Sequence, residues 1–389
     1  MAFNMSNFTV LLILADRTHS PFLQALFYTS LTLPAILFGL IAGPIVDMTE
    51  RKRLMLITDA LLAVLFFLYI FADANISVIL LIAFLTSSVA RFFIPAEAAT
   101  IPLVVDKKTL NHANSFFLFT LMGSVIIGYA MAGPIIQAFG GLGTFGEKVP
   151  FVVSSIFLVI GFILRLSLKK IEIKRPDVYG DSLVGKTFIL FFQTVNEVRS
   201  NLKISLPLAL LAFIELLMGL LSVVLLEYVR RYLDLPLTSV TYVLMVPLVV
   251  GLILGTAILG KIENMWGRKM PIFISLLVIG IDMIVLGVAP IYFGPDITRI
   301  IATVTSFAMG ILIVVIAVTA RTVLQTNTRE DMHGRIFSFL DVIIAFATPI
   351  PVLVTGLLAD RVSILATLII FGGIVISLTY FGHKIILRK

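Results

Sequence analysis

The sequence predicts an all-α integral membrane protein of two six-helix halves, with the first helix truncated at its N-terminus. Three observations predict it. The composition is too apolar for the chain to cover by itself, the apolar residues come in runs of spanning length, and one charged loop pattern occurs twice at matching places.

Of 389 residues, 59% are hydrophobic and 13% charged, and the mean hydropathy is +1.11. A soluble domain is about half apolar and about a quarter charged, so lipid must cover the excess. The net charge of +7 is concentrated in alternate loops, which reads as membrane orientation rather than nucleic-acid binding. The lack of Cys excludes disulfides and thiolate metal sites, and His19, His112, His333 and His383 have no ligand spacing, so no cofactor or metal is expected. No basic stretch precedes the first apolar run, and no cleavable signal peptide is expected.

A spanning helix takes about 20 apolar residues. The opening "MAFNMSNFTVLLILA" would reach only about 22 Å as a helix, short of a ~30 Å hydrocarbon core. It reads as the outer part of a first helix whose beginning is missing; a short interfacial helix is the alternative. About eleven complete spans follow, at 22–46, 54–72, 76–98, 114–138, 149–168, 204–228, 238–260, 270–290, 298–320, 336–358 and 362–386. The polar stretch 169–203 separates an N-terminal half, 1–168, from a C-terminal half, 204–389. It reads as a cytoplasmic linker, in which 182–199 can form an amphipathic helix with Phe188, Phe191, Phe192 and Val195 on one face. Lys and Arg cluster around 51–53, 107–108, 169–203, 261–269, 321–335 and 384–389, which makes these loops and both termini cytoplasmic.

The duplicated loop carries the strongest signal. Residues 43–54 read "GPIVDMTERKRL" and residues 260–271 read "GKIENMWGRKMP". Gly43, Asp47, Arg51 and Lys52 align with Gly260, Asn264, Arg268 and Lys269, each set lying between the second and third span of its half. Two halves with a shared loop indicate an internal duplication. Asp47 can sit at the positive end of another helix, and Arg51 and Lys52 can pair with carboxylates. Such contacts would form a cytoplasmic latch, whereas Arg53 reads as an orientation anchor.

These residues resemble the G-x-x-x-D-x-x-G-R-K motif of the major facilitator superfamily. Glu50 stands where the motif has Gly, which is expected to weaken the turn, and Asn264 replaces the Asp of the second copy. The stretch "ARFFIPAEAATIPLVVDKKTLNHANSF" resembles the fourth helix and following loop of the superfamily's efflux branch, which includes macrolide, drug and siderophore exporters, with lysophospholipid transporters related. "GYAMAGPIIQAFGG" loosely resembles the antiporter motif, through Gly128, Gly133 and Pro134, and "QTNTREDMHGRIFSF" resembles the loop between helices 10 and 11. The resemblance implies the major facilitator fold, alternating access, and a central cavity lined by the first, fourth, seventh and tenth helices.

Ionisable groups within spans are candidate functional residues by default. Glu215, in mid-span, is the first candidate proton carrier, and Arg91 is a candidate for proton coupling or for binding an anionic substrate. Glu227, nearer the outer end, is a second carboxylate candidate, with a solvated rim position as the bland alternative. Glu97 is expected to pair with Arg51 or Arg91, Asp59 with a basic residue of the charged loop, and Asp341 to face the opposite half. Asp282 has no sequence explanation. Gly123, Gly128, Gly133, Gly251 and Gly255 are expected to permit close helix approach.

The expected function is export of a small amphipathic molecule across the cytoplasmic membrane, as a monomer, by proton antiport. A lysophospholipid-type flippase and a non-transporting membrane sensor or scaffold are the alternatives. The sequence has no G-x-x-x-x-G-K-[ST] loop and no nucleophile, base and oxyanion set, so an ATPase or other enzyme is not expected.

Overall fold

The structure, a computed structural model, describes residues 1–72, 75–105, 110–168, 194–195, 197–328 and 333–387. The described elements are all helical: α1 (Ala2–Thr18), α2 (Pro21–Met48), α3 (Arg51–Leu68), α4 (Ile76–Val104), α5 (Leu110–Ala138), α6 (Val149–Leu166), α7 (Leu202–Tyr232), α8 (Val246–Trp266), α9 (Lys269–Tyr292), α10 (Pro295–Asn327), α11 (His333–Ala347), α12 (Pro349–Arg361) and α13 (Ile364–Leu387). The expected linker helix falls almost wholly outside the described residues. The expected span 336–358 divides into α11 and α12 at Thr348. Thr348 precedes Pro349, whose ring crowds the helical conformation of the residue before it.

Ten of these segments are long and apolar enough to cross a membrane among the residues searched, so the protein is a multi-pass membrane protein. The α3 surface shows why lipid is required. Met55, Thr58, Asp59, Leu62, Ala63 and Phe66 turn inward, while Ile57, Leu61, Val64 and Leu68 form an exposed stripe at helical spacing. Apolar residues on the outer face of a helix are stable only against hydrocarbon. α1 differs, being buried continuously from Met5 to Ala15. An interfacial helix would bury one face only, so α1 is an interior element.

The chain forms two compact units, one of Met1–Arg17, Leu26–Asn196 and Arg335–Pro349, the other of Thr18–Ala25, Glu197–Gly334 and Ile350–Lys389. Relative to a division at 169–203, the turn and first residues of α2 fall in the second unit, and α11 falls in the first.

Within the first unit α3 packs on α4 and α6, and α4 lies against α2 through Ser87 Oγ, which donates to Leu31 O at 2.5 Å, and the Phe38–Phe92 ring pair. Within the second unit α9 packs on α10 and α13, and α10 on α8. Counting α11 and α12 as one span, these three pairings of the first unit recur six spans later, which is the duplication seen in three dimensions.

Glycines set the closest contacts. A Cβ on Gly251 would stand 2.1 Å from Phe307 O, and one on Gly310 would stand 2.1 Å from Leu248 O, so α8 and α10 meet backbone to backbone. Gly255 faces Ile311 in the same seam, and Gly280, Gly287 and Gly372 bring α9 onto α13. Gly128 seats α5 against α1, where a Cβ would lie 2.9 Å from Met1 O. The expectation holds for Gly128, Gly251 and Gly255, whereas Gly123 has open space beside it. Gly310→Val should therefore destabilise the protein by about 1–3 kcal/mol of overpacking, read as a lower melting temperature in detergent, while Gly260→Ala, with nothing within 4 Å, should leave that temperature unchanged.

Candidate functional site

The two copies of the charged motif have different local structures. In the first, Glu50 caps α3 with φ −58°, a conformation open to any residue, so replacing the motif's Gly there costs nothing. In the second, Gly267 ends α8 with φ +68°, and there glycine is required. The side chains of Gly43 and Asp47 lie outside the described residues, and Arg51 is partly buried at the start of α3.

Lys52 and Glu97, expected in a latch between the halves, bind partners inside the first unit. Lys52 Nζ donates to Leu166 O at 2.8 Å and to Leu168 O at 2.5 Å. These carbonyls lie at the end of α6, where a helix presents orphan acceptors and partial negative charge, so Lys52 is a C-terminal cap that ties α3 to α6. Glu97 Oε1 accepts from Arg165 at 2.7 Å, and the other arm of the same guanidinium donates to Asp59 Oδ2 at 2.6 Å. The guanidinium also lies 4.9 Å from the Phe93 ring centroid. Arg165 therefore joins α3, α4 and α6, in place of the charged-loop residue expected to pair with Asp59 and of Arg51 or Arg91 expected to pair with Glu97. Sequence reading passed over Arg165, although a basic residue inside an apolar span is itself a signal.

Arg91, one to two turns before Glu97 on α4, has the Asp341 carboxylate of α11 within Coulombic reach. The two residues come from opposite halves of the sequence but lie within the first compact unit. Pro95 stands between Arg91 and Glu97 and cannot donate the helical hydrogen bond to the Arg91 carbonyl, which makes a bending point between the two charged contacts.

In the second unit Glu263 takes part in the motif's chemistry. Its Oε1 accepts from Thr319 Oγ1 at 2.8 Å, and its Oε2 lies 3.7 Å from Arg268 Nε. Asn264 and Lys269 are exposed. Glu215 and Glu227 exchange the environments expected of them: Glu215 is exposed on α7, while Glu227 is fully buried. Glu227 Oε2 accepts from Arg230 at 2.7 Å and from Arg231 at 3.0 Å, and Arg231 also donates to His19 O at 3.3 Å. Asp282 is buried on α9, and its Oδ2 has no hydrogen-bond partner. Gly133 is buried in α5, and Pro134 lies inside that helix. No group of three or more metal-ligating side chains occurs among the described residues.

A family model described as Major Facilitator Superfamily matches residues 1–350. The chain belongs to this superfamily of membrane transporters. Macrolide efflux protein A of Streptococcus pyogenes is 22% identical over 391 residues, covering 95% of this chain and 88% of that protein. The multidrug efflux pump Tap of Mycolicibacterium fortuitum is 24% identical over 359 residues, covering 86% of this chain and 80% of its own. Among solved structures, a bacterial homologue of the human lysosomal transporter Spinster, inward-facing and occupied, matches with a TM-score of 0.72 at 14% identity, over 98% of this chain and 94% of that one. At that identity the likeness shows the fold.

Removing the shared guanidinium would strand two carboxylates, one of them fully buried. Arg165→Ala should cost about 3–5 kcal/mol, as breaking a buried ion pair does. The measurement is the yield of monodisperse protein and its melting temperature, with Arg165→Lys expected to recover part of both.

Proposed function

We propose that this superfamily member is a secondary transporter that exports a small amphipathic molecule across the cytoplasmic membrane by alternating access, driven by proton entry. The halves 1–168 and 204–389 are the moving bodies and 169–203 connects them, with both termini on the cytoplasmic side. The efflux activities named for the two relatives support the direction and the substrate class.

The observation that carries the alternating-access reading is that the Asp341 carboxylate lies within Coulombic reach of Arg91. This proximity joins a residue of the first sequence half to one of the second, beside a proline that lets α4 bend. In this reading Asp47, Arg51, Asn264, Arg268, Lys269 and Asp341 hold the cytoplasmic side closed and release it when that side opens. Lys52 keeps α3 tied to the end of α6 as the first half moves. Glu215 remains the proposed proton carrier on α7, because an exposed carboxylate on a cavity-lining helix can meet both water and substrate. Glu227, sealed by two arginines, fits an electrostatic anchor for the end of α7.

Purified protein in proteoliposomes should accumulate a macrolide or a fluorescent amphiphile when the inside is acidic, and should do so weakly without a pH gradient. Glu215→Gln should abolish the gradient-driven part, and unchanged gradient-driven flux would remove Glu215 from the mechanism. Asp341→Asn should slow transport while leaving substrate binding near the wild-type level. Movement of lysophospholipid in place of the soluble amphiphile would replace the export reading with lipid flipping.

A further inference from the structure

The geometry points to a proton-binding site in the first unit, where Asp59 and Glu97 share one proton beside the single guanidinium of Arg165. The inference deepens the proton-coupled reading above and rests on it only for how the proton is used.

Two carboxylates face one cation, which leaves the cluster with an unbalanced negative charge if both are ionised. Asp59 is fully buried, and although its Oδ2 meets Arg165, its Oδ1 has no hydrogen-bond partner. A buried carboxylate oxygen without a donor is costly, and a net charge inside an apolar bundle is costlier still. One proton on Asp59 removes the larger cost, the net charge: the Asp59 carboxylate becomes the neutral acid, and Arg165 and Glu97 remain as a neutral ion pair. The proton comes from water and returns to water, and no other bond changes.

The surrounding charges do not supply the missing balance. On α3, Lys52 is held by the carbonyls at the end of α6. On α4, Arg91 faces Asp341. From α1, burial works against the charged form of the Met1 amino group, the form that would attract Glu97. Gly161 lines the site on α6, and a Cβ there would stand 3.0 Å from Arg165 Nη1 and 4.0 Å from Asp59 Oδ2, so the backbone leaves space for the guanidinium.

Coupling follows from the placement of α4. Glu97 lies beyond Pro95 and Arg91 lies before it, so bending at Pro95 changes the distance from Glu97 to Arg165 while Arg91 exchanges Asp341. As Glu97 withdraws, Arg165 is left to Asp59 alone, the ionised form of Asp59 is favoured, and the proton leaves.

The test is infrared difference spectroscopy on the full chain in nanodiscs, titrated with pH, which reads the C=O stretch of a protonated carboxyl directly. The wild type should show a band that is absent from both Asp59→Asn and Glu97→Gln. Glu97 is partly exposed, so Glu97→Gln serves if Asp59→Asn does not fold, and size-exclusion elution reports folding for each. A band lost in Asp59→Asn but kept in Glu97→Gln would place the proton on an isolated Asp59 and overturn the shared site, as would spectra identical to wild type in both. In proteoliposomes both variants should lose stimulation of flux by a pH gradient, and retained stimulation in either would overturn the coupling role. A wild type that shows the band without any gradient-driven flux would overturn the export reading and leave the proton site standing.

Discussion

Helices in a bilayer gain little by hiding apolar surface from one another, because the lipid they displace is equally apolar. Association then depends on close backbone approach and on the few polar contacts that the bundle can satisfy. The two units meet this constraint in different ways. The second relies on glycine seams, with Gly251, Gly255 and Gly310 between α8 and α10, and Gly280, Gly287 and Gly372 between α9 and α13. The first relies more on side-chain links: Ser87 to Leu31 O, Ser155 to Ala63 O, Ser154 to Ala2 O, and the Arg165 clasp. A duplicated fold has kept its helix pairings while exchanging the contacts that hold them.

The charged motif has diverged in the same way. Both copies start a helix with adjacent basic residues at the end of a span. In the first, the lysine caps α6 and an ordinary turn suffices at Glu50. In the second, the arginine lies near Glu263 and the turn needs Gly267 in a left-handed conformation. The motif is therefore better described by its position, at a helix start beside other helix ends, than by one fixed set of partners. Carbonyls at helix ends and carboxylates both attract cations, so a Lys or Arg at that place finds a partner even when the partner changes.

Acidic centres with different partners divide the charge among the described residues, among them Asp59 and Glu97 on one arginine, Glu227 on two, and Asp282 with an oxygen lacking any partner. They differ in balance. The Glu227 cluster is over-supplied with cations. The Asp59–Glu97 cluster is under-supplied and is suited to holding a proton. The difference lies in how many guanidinium groups face each carboxylate, which no count of intramembrane charges reveals.

The sequence by itself determined the membrane class, most of the apolar spans and the duplicated loop, because each depends on local composition or on short fixed spacings. It also placed Gly128, Gly251 and Gly255 in tight contacts, since a small residue in a span has few other uses. Only the tertiary structure decided the partners. Arg165 with Asp59 and Glu97, Lys52 with the end of α6, and Asp341 with Arg91 link residues far apart in the chain. It likewise decided that Glu227 is buried and Glu215 exposed. Hydropathy is nearly uniform around these helices, so it carries little information about rotation. Which face turns inward, and which charges then meet, is settled by packing between helices.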